Sequence, residues 1–459
     1  MSLKTIIDQI QGLDVKSDND TITHRPARFI PCGSLNKGEE RLTSIVLAIM
    51  AAVPEFAAIL LKSLGQSVSK RSKLNCFVEL TLHKDYKDKT AAERPDGLIV
   101  HTNAKNHWVC LVEAKTVSAE LERVQISRYI SLAEKISSSK GPKVDAILTI
   151  SNNFVAVPQH HPMADLIPRR SSLKLLHWSW TYVQTQAEIL LAQDDFEDST
   201  KRTLISELVF YMRSPNSGVQ QFVQMNPEWK EFISKMRSSE KLSARNKSDL
   251  TLLANSVGAW HQECRDIALL LSRKVRQDVF LKLSRKHLQD PQARIDDDIQ
   301  NLLGNSPNLS CEIEVPNAAA PVSISVNMNG ILEMSMIVDA PSEKHKEIRV
   351  KTRFNWLIKQ LGNEKLGPLK VQTIGSRNSQ NSKHIPYSNL LSDLDECIKH
   401  DVPSDPVKFK IIWQIDMASN LLSRKGFITC IEDALQPFYE NVVEKIKKYQ
   451  PSVPEMKTD

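Results

Sequence analysis

Several common devices are missing from this chain. No C-x-x-C pair occurs among the seven cysteines, Cys32, Cys76, Cys110, Cys264, Cys311, Cys397 and Cys430. Their odd number and wide spacing argue against both a zinc knuckle and a disulfide framework. Scattered thiols of this kind suit a reducing, cytoplasmic setting. Glycine is scarce at 14 of 459 residues, and no solenoid period is found, which excludes glycine-built repeats. No Gly-rich phosphate loop of the Walker type is present, so an intrinsic ATPase or helicase motor is not expected. Neither G-x-S-x-G nor a Cys-His signature stands out. Met1–Leu13 lacks a basic stretch followed by an apolar core, so no signal peptide is expected. The longest apolar run, Ile45–Leu61, is broken by Pro54 and Glu55, too short and too interrupted for a membrane span.

What is present is ordinary in amount and uneven in placement. Hydrophobic residues make up 41% and charged residues 25%, which excludes a disordered chain. The length suits two or three domains. Five of the six net positive charges fall in residues 1–190, which hold 24 Lys/Arg against 19 Asp/Glu. A mild basic excess favours a polyanionic partner without proving one.

The periodicity divides the chain into five parts. Residues 1–37 read as a polar lead-in, with a short helix near Ile6–Ile10. Residues 38–190 read as an α/β domain. Residues 191–305 read as a mostly helical segment, residues 306–450 as a separate α+β domain, and residues 451–459 as a tail. In the α/β domain a helix from Lys37 gives way to a second one started by Pro54. Three strands follow, N-C-F-V-E-L-T-L-H, R-P-D-G-L-I-V-H-T and H-W-V-C-L-V-E-A-K. A charged loop precedes the second, and an Asn-containing turn makes the second and third a hairpin. A helix from Ala119 then leads to K-V-D-A-I-L-T-I-S, apolar on both faces as a central parallel strand should be. L-K-L-L-H-W-S-W is a further strand. The helical crossover predicts a parallel pair. In the last domain Asn329-Gly330 marks a hairpin.

Chemistry concentrates in the hairpin. Asp96 opens one arm in R-P-D-G. Glu113 and Lys115 lie two apart on the other, so the period of two sends both to one sheet face, with Val112 and Ala114 on the packed face. Two carboxylates offer hard oxygen ligands for Mg²⁺. Such a metal polarises a phosphoryl oxygen and acidifies a bound water. A lysine beside it positions that water and stabilises charge on the phosphate. The bland alternative is a surface salt-bridge cluster. Gln125 and Tyr129, four apart on the next helix, share one face.

P-D-x(n)-E-x-K resembles the motif of the PD-(D/E)XK phosphodiesterases, the superfamily of restriction endonucleases. The element order α-β-β-β-α-β is similar to that restriction-endonuclease-like core, and the likeness covers residues 38–182. The resemblance implies that Asp96 and Glu113 bind Mg²⁺ or Mn²⁺, with the Ala114 carbonyl as a further ligand and Lys115 as the catalytic lysine. Q-I-S-R-Y resembles the Q-x-x-x-Y motif of RecB-type nucleases, which implies that Gln125 and Tyr129 support the lysine and the DNA backbone. Glu40 matches a first-helix glutamate that faces the metals in many members. Glu39 is its adjacent alternative, Glu79 another contributor, and helix-start dipole stabilisation a rival role for Glu40. The whole chain also resembles a family of uncharacterised bacterial proteins, through E-R-x-T-S, T-I-S-N, H-W-S-W and R-x-N-W-L.

The expectation is therefore a cytoplasmic metal-dependent nuclease acting on DNA, with defence against foreign DNA a natural setting. A homodimer or a regulatory partner would be held through the C-terminal domain. The alternative is a non-cleaving nucleic-acid-binding or sensor module on the same fold. The remaining candidates read more simply. Ser151, Asn152 and Asn153 either reach the site or form a turn. His160-His161 reads as exposed loop, and His177, Trp178 and Trp180 as packing. Arg349, Lys351, Arg353 and Lys359 read as a solvated basic face, and Asn355, Trp356 and Leu357 as packing residues.

Overall fold

The computed structural model describes residues 25–26 and 38–450, apart from 70, 79–94, 105, 118, 139–142, 169–170, 239–241, 343–347, 376–382 and 403–405. The expected Ile6–Ile10 helix, Glu79, the charged loop after the first long strand and the tail lie outside these residues. Two compact units emerge. One comprises Met1–Gln221 with Ser272–Gln277, the other Phe222–Leu271 with Asp278–Asp459. Both mix helices with a sheet.

In the first unit, α1 (Gly38–Ala52) and α2 (Pro54–Ser63) precede β2 (Lys73–Val78), β3 (Gly97–Asn103) and β4 (Asn106–Ala114). Then come α3 (Arg123–Ser138), β5 (Ala146–Ser151), β6 (Lys174–Ser179), α4 (Trp180–Leu191) and α5 (Ser199–Arg213). A short β1 (Arg25–Pro26) pairs antiparallel with β2 at the edge. The sheet runs β1-β2-β3-β4-β5-β6. β2, β3 and β4 pair antiparallel, whereas β4, β5 and β6 pair parallel, as the crossover through α3 requires.

Strand parity sorts the side chains onto two covered faces. One face carries Cys76, Ile99, Cys110, Val112, Ala114, Leu148, Ile150, Leu176 and Trp178. They join residues of α1, α2, α4 and α5 in one core. The other carries Phe77, Leu98, Val100, Val109, Leu111, Ile147 and Leu175 against Ile126, Tyr129, Ile130 and Ala133 of α3. All six residues of β5 are buried, as its two-sided apolar sequence demands. Gly97 has a steric purpose here. A Cβ on it would lie 2.6 Å from Leu47 Cδ1 and 3.3 Å from Phe77 O and Val112 Cβ, so the missing side chain lets Leu47 of α1 settle directly on β3. Ser179 caps α4 by accepting the Tyr182 N–H.

The stretch expected as a separate helical segment is divided between the units. α5 buries Ile205, Leu208, Val209 and Met212 in the first unit's core. The second unit takes α6 (Trp229–Arg237), most of α7 (Lys247–Val275), α8 (Arg285–Gln289) and α9 (Pro291–Leu302). Within the same stretch β7 (Phe280–Leu281) is a strand, because it pairs with Glu314 and Ile313.

The second unit continues with β8 (Asn308–Glu314), β9 (Val322–Asn327), β10 (Ile331–Asp339) and α10 (Val350–Leu361). β11 (Leu369–Gly375), β12 (Ile385–Pro386), α11 (Tyr387–Ser392), α12 (Leu394–Asp401), β13 (Pro406–Asp416) and α13 (Arg424–Phe438) complete it. Its sheet is antiparallel throughout, in the order β12-β11-β13-β10-β9-β8-β7. The Asn329-Gly330 hairpin joins β9 to β10 as expected. The last α-helix ends at Phe438, where one π turn, Tyr439–Val443, follows. Phe354 packs edge-on to Phe409 at 5.1 Å, and Trp229 meets Phe427 at 4.6 Å. The six cysteines among the described residues are all free thiols. Among the described residues no single helix is long and apolar enough to cross a membrane.

Candidate active site

The hairpin register builds the site. Gly97 opposes Val112, so Asp96, one residue earlier, comes beside the end of β4. Its Oδ2 accepts the Ala114 N–H at 2.8 Å. A backbone donor thus anchors the Asp96 carboxylate next to Glu113. Glu113 shares the α3 side of the sheet with Val109 and Leu111, and it is 1% exposed. Lys115 Nζ lies 2.6 Å from Glu113 Oε1, so the two-residue spacing does bring carboxylate and ammonium together. Burying such a pair is costly unless more hydrogen bonds complete it. One does: Gln125 Nε2 donates to the same Oε1 at 2.6 Å.

Gln125 links two elements. Its amide nitrogen carries two hydrogens, and the second points to Tyr129 Oη at 3.1 Å. The four-residue spacing therefore places both on the face of α3 that meets β4. The contact of Gln125 is with Glu113 rather than with the lysine. Tyr129 is 3% exposed. Burial first, then the adjacent Glu113 charge, pushes its hydroxyl far above the usual phenol range, so it stays protonated. The lysine is fixed at its backbone. Its N–H donates to Ile150 O at 2.8 Å, and Trp180 Nε1 donates to its carbonyl at 2.8 Å.

Glu40 stands half-buried in the first turn of α1. Among the described residues no group of three His, Cys, Asp or Glu side chains is found that could hold a metal ion. The donors that do come together, two carboxylates beside the Ala114 peptide, are hard oxygens of the kind Mg²⁺ and Mn²⁺ accept.

Beside these residues runs a polar row that sequence reasoning missed. The parallel register sets Glu113 opposite Thr149, and Thr149 opposite His177. Thr149 Oγ1 lies 2.7 Å from His177 Nδ1 and 2.8 Å from His161 Nε2. The hydrogens can be deduced. Met163 N–H donates to His161 Nδ1, so His161 carries its proton on Nε2 and gives it to Thr149. Thr149 then donates to His177 Nδ1, and His177 Nε2–H donates to the Asn153 carbonyl at 3.0 Å. Every member is satisfied in the neutral state. Burial holds His161 down to about 3 and His177 to about 4.

His160 and His161, expected to be exposed, are 8% and 2% exposed. The loop folds back because Thr149 and the Met163 amide offer His161 partners inside. His177, Trp178 and Trp180 are core residues as expected. Asn152 proves to be a clamp, treated below. In the second unit Lys351 pairs with Asp395, and Arg353 donates to the Pro406 carbonyl, so two of the four basic residues there are already engaged. Leu357 is buried and Trp356 meets Tyr449, whereas Asn355, expected to pack, is exposed because it falls on the solvent side of α10.

Compared with protein-family models, with curated proteins and with solved structures, the chain finds no match in any of the three.

Proposed function

We propose that the first unit is a metal-dependent phosphodiesterase. More particularly, it is a nuclease of the PD-(D/E)XK type with a RecB-like Q-x-x-x-Y helix, acting on DNA, and α1 with β2–β5 and α3 is its restriction-endonuclease-like core. The observation that carries this reading is the contact of Lys115 and Gln125 on one oxygen of Glu113, with Asp96 tied to the same strand end. A salt bridge of purely structural value gains little from a carboxylate held at 1% exposure beside a second one.

In this reading Asp96, Glu113 and the Ala114 carbonyl hold Mg²⁺ or Mn²⁺, which supplies Lewis-acid polarisation and a more acidic water. Lys115 orients the attacking water and offsets charge growing on the phosphate. Gln125 keeps the Glu113 carboxylate from rotating, and the protonated Tyr129 fixes Gln125 in turn. Asp96 is oriented by a peptide N–H at the end of the same strand.

The test is cleavage of circular, linear and single-stranded DNA, and of RNA, in Mg²⁺ or Mn²⁺. The wild-type chain is expected to cut DNA, and a chelator to stop it. Asp96→Ala and Lys115→Ala should each lower the rate by about a hundredfold or more, as loss of a charge-stabilising group does. Glu40→Ala should raise the Mg²⁺ concentration needed if that residue helps the pair. A wild-type chain that binds DNA without cutting it, and binds no metal by calorimetry, would replace the nuclease with a non-cleaving binding module.

A further inference from the structure

Two residues beyond Lys115, the chain does something that stability does not explain. Val117 has φ +56°, in the left-handed region that a β-branched side chain strongly disfavours. Its side chain is 55% exposed, so burial returns little for that strain. A glycine would sit there at lower cost.

The strain is imposed from outside by a specific set of bonds. Val117 N–H donates to the Gly218 carbonyl at 2.9 Å. Asn152 Nδ2 donates to the Val117 carbonyl at 2.9 Å and to the Gly218 carbonyl at 3.0 Å. Asn152 Oδ1 accepts the Gln220 N–H at 2.9 Å. One amide thus uses both hydrogens and its oxygen to lock 117 against 218–220. Gly218 itself has φ +76°, and a Cβ there would fall 2.8 Å from Thr116 Cβ and 3.1 Å from Val117 Cγ2. The two backbones touch, Val117 Cγ2 lies beside Gly218, and the side chain as a whole stays 55% exposed.

The same short loop leaves β4 directly from Lys115, whose carbonyl is fixed by Trp180. An apolar side chain is therefore held rigid, outward, and against its own backbone preference, within two residues of the group assigned to the phosphate. Strained residues persist where the surroundings over-determine them, and they mark contacts made with something else.

We propose that Val117 is a substrate-contact residue: a fixed apolar wall for the sugar and base of the nucleotide next to the scissile phosphate. This rests on the nuclease reading above. Phosphate contacts set position, whereas apolar contact with sugar and base is how a protein grips a nucleotide without reading its charge. Val117 acts on binding and alignment, and Lys115 on the chemistry.

The experiment compares wild type with Val117→Gly, Val117→Asn and Val117→Ile in the full chain. Affinity for a fluorescein-labelled DNA duplex is read by polarisation with Ca²⁺ in place of Mg²⁺, cleavage in Mg²⁺, and thermal stability by calorimetry. Glycine and asparagine both accept the left-handed backbone, so both variants should melt no lower than wild type, and Val117→Gly higher. Both should nevertheless bind DNA roughly tenfold more weakly, the worth of one valine-sized apolar contact. Val117→Ile should retain wild-type affinity. A residue of structural importance alone would give the reverse, lower melting with unchanged affinity. If wild type cuts DNA and Val117→Gly binds and cuts equally well, the substrate contact is refuted while the nuclease stands. If wild type neither binds nor cuts, both fall together.

Discussion

The two sheets of this protein use their faces differently. In the second unit β8, β9 and β11 alternate strictly between buried and less buried residues, as antiparallel strands with one covered face do. In the first unit β5 is buried at every position and β4 over its last six. A sheet covered on both sides leaves no solvent to receive a polar side chain. Each one that is kept must find partners inside. That is where Asp96, Glu113, Thr149 and His177 stand in register, and where the first unit departs from a purely apolar pattern. The second unit's sheet sends most of the polar residues of β8, β9 and β11 to its less buried face, with Ser335 and Thr373 buried among its described strands.

Substitutions can strain this comparison, beginning with the most severe. Phe409→Ala removes a fully buried ring packed on Phe354. It should cost about 3–5 kcal/mol. Urea unfolding should show the loss in the transition of the second unit, leaving the cleavage proposed for the first unchanged under native conditions. If cleavage falls equally, the units do not fold independently.

Thr149→Val keeps volume and removes the hydroxyl that joins His161 to His177. Two buried imidazoles then lose a partner, at a cost of about 1–3 kcal/mol. The same exchange at an exposed threonine such as Thr251 should change little. An equal effect at both positions would deny the buried row its special standing.

Particular buried groups of the two regions should also respond to pH in opposite senses. His161 and His177 have folded values near 3 and 4, below their ordinary 6.5. Folding prefers them neutral. Their contribution is complete above pH 6.5 and is lost as pH falls towards 4 and 3. Denaturant midpoints of the first unit should drop over that window, and also in Thr149→Val, which leaves the burial of both rings in place.

In the second unit Glu263 behaves oppositely. It lies fully buried on α7, with neither carboxylate oxygen hydrogen-bonded. Burial, then Asp266 and Glu432, raises it well above 4.5. Folding prefers its protonated form, so stability is greatest below pH 4.5 and declines as pH rises through the raised value. Glu263→Met should therefore stabilise the second unit by about 1–2 kcal/mol at pH 7, and by less at pH 4. A gain that is the same at both values would mean the carboxyl is not the cause. The smallest effect is expected at the surface pair of Arg123 and Asp165. Arg123→Ala should leave the denaturant midpoint of the first unit almost unchanged, because both partners of the pair stand in solvent.

How much of this was legible can be traced residue by residue. The longer strands of both units, the parallel β4–β5 pair and the Asn329-Gly330 hairpin followed from period and turn chemistry, because alternation reports burial directly. β1, β7 and β12, two residues each, carry too little period to be read. Glu113, Lys115, Gln125 and Tyr129 could be grouped, since spacings of two and four fix faces within one element. The division of residues 191–305 could not be read, because α5 and α7 look alike as amphipathic helices and nothing local says which core each apolar face will meet. His161 misled for the same reason. A histidine between prolines looks like an exposed loop until the loop's return path sets it against Thr149.

The sequence by itself determined the periodicities, the hairpin and the chemical content of the site: two carboxylates, a lysine, and a glutamine–tyrosine pair on one helix face. The tertiary structure decided what those side chains touch. It gave Gln125 to Glu113 rather than to the lysine, aligned Thr149 and His177 beside them, and forced Val117 outward through Asn152 and Gly218. Local spacing constrains neighbours along one element, whereas contacts between elements depend on register and loop return. Those are settled when the whole unit excludes water.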